Sequence, residues 1–112
     1  MSITNQVKLD NNSVLVTSAT VYDLPRNTYT SVYCNATGAQ EVVLPLLSTV
    51  LPGSTVVLKK AKGSTVEINQ NADEVGNKIV LADDTAADQL VVANTANSVT
   101  LVATAGLWYQ LI

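Results

Sequence analysis

The sequence predicts an all-β fold, and three observations carry that expectation. Short apolar runs alternate with turn residues along most of the chain. Val and Thr are abundant, and their branched side chains pack well on a pleated strand. No stretch reads as a credible long helix. Together these predict a small antiparallel β-sandwich or barrel-like domain over residues 13–112, preceded by an N-terminal arm over 1–12.

In chain order, residues 1–12 are polar and Asn-rich, with Val7 and Leu9 alternating around Lys8. This pattern suits an arm that orders on a partner, an edge strand, or a frayed terminus. Ser13 to Thr17 reads as a strand. Asp23-Leu24-Pro25-Arg26-Asn27 turns the chain, and Thr28 to Asn35 follows as a strand. Its Tyr29, Ser31 and Tyr33 share one face, and Thr30, Val32 and Cys34 the other. After a turn at Asn35-Ala36-Thr37-Gly38, the run Glu41 to Leu47 is apolar, and Pro45 makes it an edge strand or a strand end.

Leu51-Pro52-Gly53-Ser54 is a tight turn, because Pro presets φ and Gly accepts a positive one. Ser54 to Lys60 and Ser64 to Asn69 flank Ala61-Lys62-Gly63, a spacing that predicts a β-hairpin. Gly53-Ser54-Thr55-Val56 recurs as Gly63-Ser64-Thr65-Val66. The echo does not continue, so it reads as two similar strands and not as a solenoid. A polar loop over Asn69 to Asn77 leads to strands at Lys78 to Ala82, Gln89 to Ala93, Ser98 to Ala103 and Leu107 to Ile112, the last two joined at Ala105-Gly106. Asp83 to Asp88 could form a loop or one capped helical turn.

Charged residues are 13% of the chain, against roughly 25% in ordinary soluble domains, so a monomer would have a sparse charged coat. Val42-Val43-Leu44, Val56-Val57-Leu58 and Leu90-Val91-Val92 are apolar on both faces, where a half-solvated strand would alternate. Such strands bury one side in the core and the other against a sheet or a neighbouring subunit. The net charge of −3 gives no reason to expect nucleic-acid binding, and no apolar run is long enough for a membrane helix. The polar start Met1-Ser2-Ile3-Thr4-Asn5-Gln6 has no signal-peptide pattern, so the chain is expected to remain in the cytoplasm where it is made. On that expectation the sequons Asn11-Asn12-Ser13 and Asn35-Ala36-Thr37 carry no meaning.

Catalytic chemistry is poorly supplied. There is no histidine, which removes the triad and Cys/His nucleophile systems. Cys34 sits on an apolar strand face without a local cation, the setting of a buried structural thiol. Asp73/Glu74 and Asp83/Asp84 are adjacent acids of the kind found in solvated loops. Asp83, Asp84 and Asp88 lack the glycine and spacing of a known calcium loop. No enzyme activity and no cofactor are therefore expected. The interface candidates are Val7 and Leu9 in the arm, Lys59, Lys60 and Lys62 at the expected hairpin tip, and Trp108 and Tyr109 in the last strand. Lysines at such a tip also discourage edge-to-edge aggregation. Trp108, the sole tryptophan, either closes the core or anchors an interface.

Val42-Val43-Leu44-Pro45, then Pro52-Gly53-Ser54-Thr55-Val56-Val57-Leu58-Lys59-Lys60, then Ser98-Val99-Thr100-Leu101-Val102, then Gly106-Leu107-Trp108-Tyr109 resembles, in that order, a module of tailed-phage appendage and capsid-decoration proteins. The likeness spans residues 28–112. It departs over 70–90, where an Ala/Asp-rich loop replaces a Gly-rich turn. The resemblance implies an intertwined homotrimeric β-structure on a virion. A chain consisting of the module and a short arm looks more like a decoration, or cement, protein bound to the major capsid protein on the outer surface of the head. The alternative is a tail-fibre or head-fibre module that binds a host receptor.

Overall fold

The computed structural model describes residues 12–17 (backbone only), 20–36, 38–61, 65–92 and 98–111. Val7, Leu9 and Lys62 lie outside the described residues. The chain is all-β, and its described residues form eleven strands in two sheets: β1 Asn12–Thr17, β2 Val21–Asp23, β3 Tyr29–Cys34, β4 Ala39–Val43, β5 Thr55–Lys60, β6 Thr65–Asn69, β7 Ile79–Val80, β8 Ala86–Ala87, β9 Gln89–Val92, β10 Ser98–Ala103 and β11 Trp108–Gln110. One sheet has the order β1-β3-β5-β10-β11-β7-β8, the other β2-β4-β6-β9.

The first six strands alternate strictly between the sheets. β1, β3 and β5 stack in parallel in the seven-stranded sheet, and β2, β4 and β6 in parallel in the four-stranded one. The chain thus winds through three stacked turns, each contributing one strand to each sheet. Parallel neighbours need a crossover between them, and here the other sheet's strand supplies it. The direction then reverses: β9 runs antiparallel to β6, and β10 antiparallel to β5. The sheets are therefore mixed, and the expectation of an antiparallel sheet is corrected.

The expected hairpin over residues 54–69 is corrected for the same reason. β5 and β6 belong to different sheets, so the short link between them carries the chain across the core and not back along one sheet. A three-residue link ending in Gly suits either connection. The register of the ladders decides, because parallel stacking pairs Val32 with Leu58 and Val42 with Ile68. The ten-residue echo marks two similar strands, as expected, but they lie in different sheets. Thr55-Val56 and Thr65-Val66 open the two strands of one turn. Val56 and Leu58 point inward from one sheet as Val66 and Ile68 do from the other.

Strand alternation fixes what is buried. Val32, Cys34, Val56, Leu58, Val99, Leu101, Ala103, Ile79 and Trp108 from the larger sheet join Val42, Val66, Ile68, Leu90 and Val92 from the smaller in one core. Trp108 is only 1% exposed and is among the largest side chains fully enclosed. Leu24, Leu44 and Leu47 close the core from the connections. Pro45 follows β4 and marks a strand end, because β4 itself lies between β2 and β6. A short 3-10 helix, Leu47–Thr49, comes next, and the Glu74 carboxylate accepts a 2.8 Å hydrogen bond from the Leu47 amide. The turn before β5 has Gly53 at φ 92 and the Ser54 amide bonded to the Leu51 carbonyl at 3.0 Å, as its residues predict.

Asp83 to Asp88 holds no helical turn. Asp84 takes φ 67, where Asp is better tolerated than most residues, and Ala86–Ala87 pairs back onto β7. The Gln110 side chain ties this loop to β11 by accepting from the Ala82 amide at 2.9 Å.

Inward and outward positions should respond differently to truncation. Leu58→Ala is expected to cost about 2–5 kcal/mol and Trp108→Ala about 3–5 kcal/mol, because each leaves a cavity. Val91→Ala, on the outer side, should change stability by less than about 1 kcal/mol. Urea unfolding of the three variants measures this, and equal losses at Leu58 and Val91 would contradict the alternation.

Candidate functional site

The outward residues of the larger sheet line up across its strands. One row runs Tyr29, Thr55, Val102, Tyr109, Val80 and Ala86 in direct register. The next runs Ser31, Val57 and Thr100, and the Leu111 amide bonds to the Thr100 carbonyl beyond it. A third runs Tyr33, Lys59 and Ser98. Tyr29 is 53% exposed, Val57 39% and Tyr109 38%. Lys59 is the only charged residue of these three rows. It stands in the end row, where a long stem can lie along the surface and keep its ammonium in water.

The outer face of the smaller sheet has a different character. One row runs Val21, Glu41, Glu67 and Val91, and another Asp23, Val43, Asn69 and Gln89. It carries three acids and, among the described residues, no base. Glu41 and Glu67 stand side by side on adjacent strands, where like charges repel. Asn69 Nδ2 donates to the Glu41 carboxylate at 2.7 Å, and Gln89 Nε2 donates to Asn69 Oδ1 at 2.9 Å. That chain of amides offsets part of the repulsion.

The lysine cluster divides. Successive strand residues face opposite sides, so Lys59 points out while Lys60 points in, at 0% exposure. Lys60 sits beside Cys34 in register, and its Nζ donates to the Ala61 carbonyl at 3.5 Å. It is no tip charge. Trp108 lies in the core, and Tyr109 alone of that pair reaches the surface.

Among the described residues, no group of three or more His, Cys, Asp or Glu side chains stands close enough together to hold a metal ion. Glu74 serves the loop as described, and Asp83 accepts from the Thr85 amide at 3.0 Å. That bonding, first through the Thr85 side chain and then its backbone, lowers the Asp83 carboxyl below its ordinary range. Cys34 is buried, and desolvation pushes its thiol up from 9.0 to about 11. No family model and no curated protein matches the sequence.

Two outcomes follow from these surroundings. The fold holds the proton of Cys34 while the unfolded chain releases it above about 9. The associated stability is therefore intact below pH 9 and falls by at most roughly 1.4 kcal/mol per pH unit between about 9 and about 11. Cys34→Ala should flatten that alkaline slope in unfolding titrations, and an unchanged slope would remove Cys34 as its source. Separately, Glu67→Lys should raise stability by about 0.5 kcal/mol by ending the repulsion with Glu41. A loss of stability by urea denaturation would show that the two acids are not in conflict.

Proposed function

We propose that this protein is a structural component of a phage virion, a capsid decoration or cement protein that binds the assembled head as a homotrimer and has no catalytic role. The observation that carries the reading is the outer face of the larger sheet, whose three ladder rows are mostly Tyr, Val, Thr and Ser with a single charge, Lys59. Such a face is suited to being covered in an assembly. The sparse charge of the whole chain and the ordered run of phage-type strand motifs support the same reading.

The physical gain from trimerisation would be avidity. Three modest contacts joined in one rigid body hold a lattice far more tightly than one contact does. A protein that binds the lattice and not the free subunit stabilises the lattice by linkage. One observation favours a second reading, a fibre module that binds a host receptor. Tyr29, Tyr33 and Tyr109 are all exposed on one face, as the aromatic platforms of sugar-binding surfaces are.

Heads stripped of this protein should release DNA at a lower temperature than complete heads, and adding the purified chain back should restore their resistance. Heads equally heat-resistant with and without it would end the cement reading. Binding of the purified protein to host cells would favour the receptor module instead.

A further inference from the structure

We infer that the outer face of the seven-stranded sheet is where copies of this chain meet, with Tyr29, Val57, Val102 and Tyr109 at the contact, and that the outer face of the four-stranded sheet points away from it. The inference deepens the proposed function, because it rests on the reading of the protein as a self-associating virion component and names the surface involved.

Charge selects between the two faces. Two copies of the four-stranded face would bring Asp23, Glu41 and Glu67 against the same three acids, with no base among the described residues of that face to answer them. Like-charge juxtaposition of this kind excludes a pairing effectively. The seven-stranded face carries no such obstacle. The one cation of its three rows, Lys59, lies in the end row beside Tyr33 and Ser98 and can stay solvated at the rim. Composition agrees, since Tyr is enriched at protein interfaces and charged residues are depleted from their centres.

Size and shape also fit. Four neighbouring strands, β3, β5, β10 and β11, at about 4.8 Å spacing, the first three about 20 Å long and β11 about half that, give a face of roughly 350 Å² before side-chain relief is added. That is of the same order as the roughly 800 Å² per partner of a standard interface. Three such faces turned toward one axis close a three-sided prism, in which residues near the axis meet their own counterparts in the other copies. Val57 lies in the middle row of the face, flanked by Ser31 and Thr100.

Light scattering on the full-length chain, with circular dichroism as a check on folding, tests this. The unaltered protein should be a trimer at micromolar concentration. Val57→Glu and Tyr109→Lys should each raise the concentration for half-association at least 100-fold while the β spectrum is kept, and Val91→Lys on the other sheet should change nothing. If Val57→Glu fails to fold, Tyr109→Lys still reads the face. Trimers that survive both substitutions, or that dissociate with Val91→Lys, would overturn the inference. So would an unaltered chain that is monomeric both in solution and on heads, or a monomer whose tyrosines are covered instead by a cell-wall glycan. A trimer held by this face that fails to bind heads leaves the inference standing and removes the capsid reading alone.

Discussion

The constraint on which the rest of the structure depends is the burial of two facing sets of side chains, one from each sheet, in a single narrow core. Val32, Val56, Leu58, Val99 and Leu101 face Val42, Val66, Ile68, Leu90 and Val92 across it. A strand offers every second residue to this core, and a slip of one position would turn its whole apolar set outward. The register of the parallel ladders is therefore held by burial, not by local turn chemistry. Trp108 supplies the bulk at one end of the core, where β7 and β11 are short. With one Trp and no Phe in the chain, the remainder is filled by many small branched residues.

The same alternation creates the outer faces. Because Val56 and Leu58 must point in, Val57 must point out. Likewise Tyr109 is turned outward by Trp108. The apolar outer face is thus a direct counterpart of the core, built by strands whose intervening residues are Tyr, Val and Thr in place of Lys and Glu. On the smaller sheet the intervening positions hold Asp23, Glu41 and Glu67, and the two sides of the molecule acquire opposite characters. A protein with one sparsely charged and one acidic face offers two chemically distinct sides.

Much of the local structure was legible in the residues. The two-faced pattern of Tyr29 to Cys34, the turn at Leu51 to Ser54 and Pro45 as a strand end all follow from periodicity and backbone preference. Partner choice was not legible. Alternation says which way a side chain points but not which strand lies beside it, so the link at residues 61–64 read as a hairpin although it crosses between sheets. The echo at Thr55-Val56 and Thr65-Val66 held the clue, but a repeat of half a turn resembles a repeat within one sheet. Lys60 was misplaced with it, because a hairpin tip is solvated and the end of a crossing strand is not. Of the candidate surface, Tyr29, Tyr33 and Tyr109 were visible as outward or terminal residues. Their alignment with Thr55 and Val102 required the ladder between β5 and β10.

The central claim is that the sparsely charged face is covered by copies of the same chain. Hydroxyl-radical footprinting of the protein over a range of concentrations, read residue by residue by mass spectrometry, tests it most directly. Tyr29, Tyr109 and Leu111 should become protected together as concentration rises, while Val91 on the acidic side keeps its labelling throughout. Equal labelling of both sides at every concentration would contradict the account.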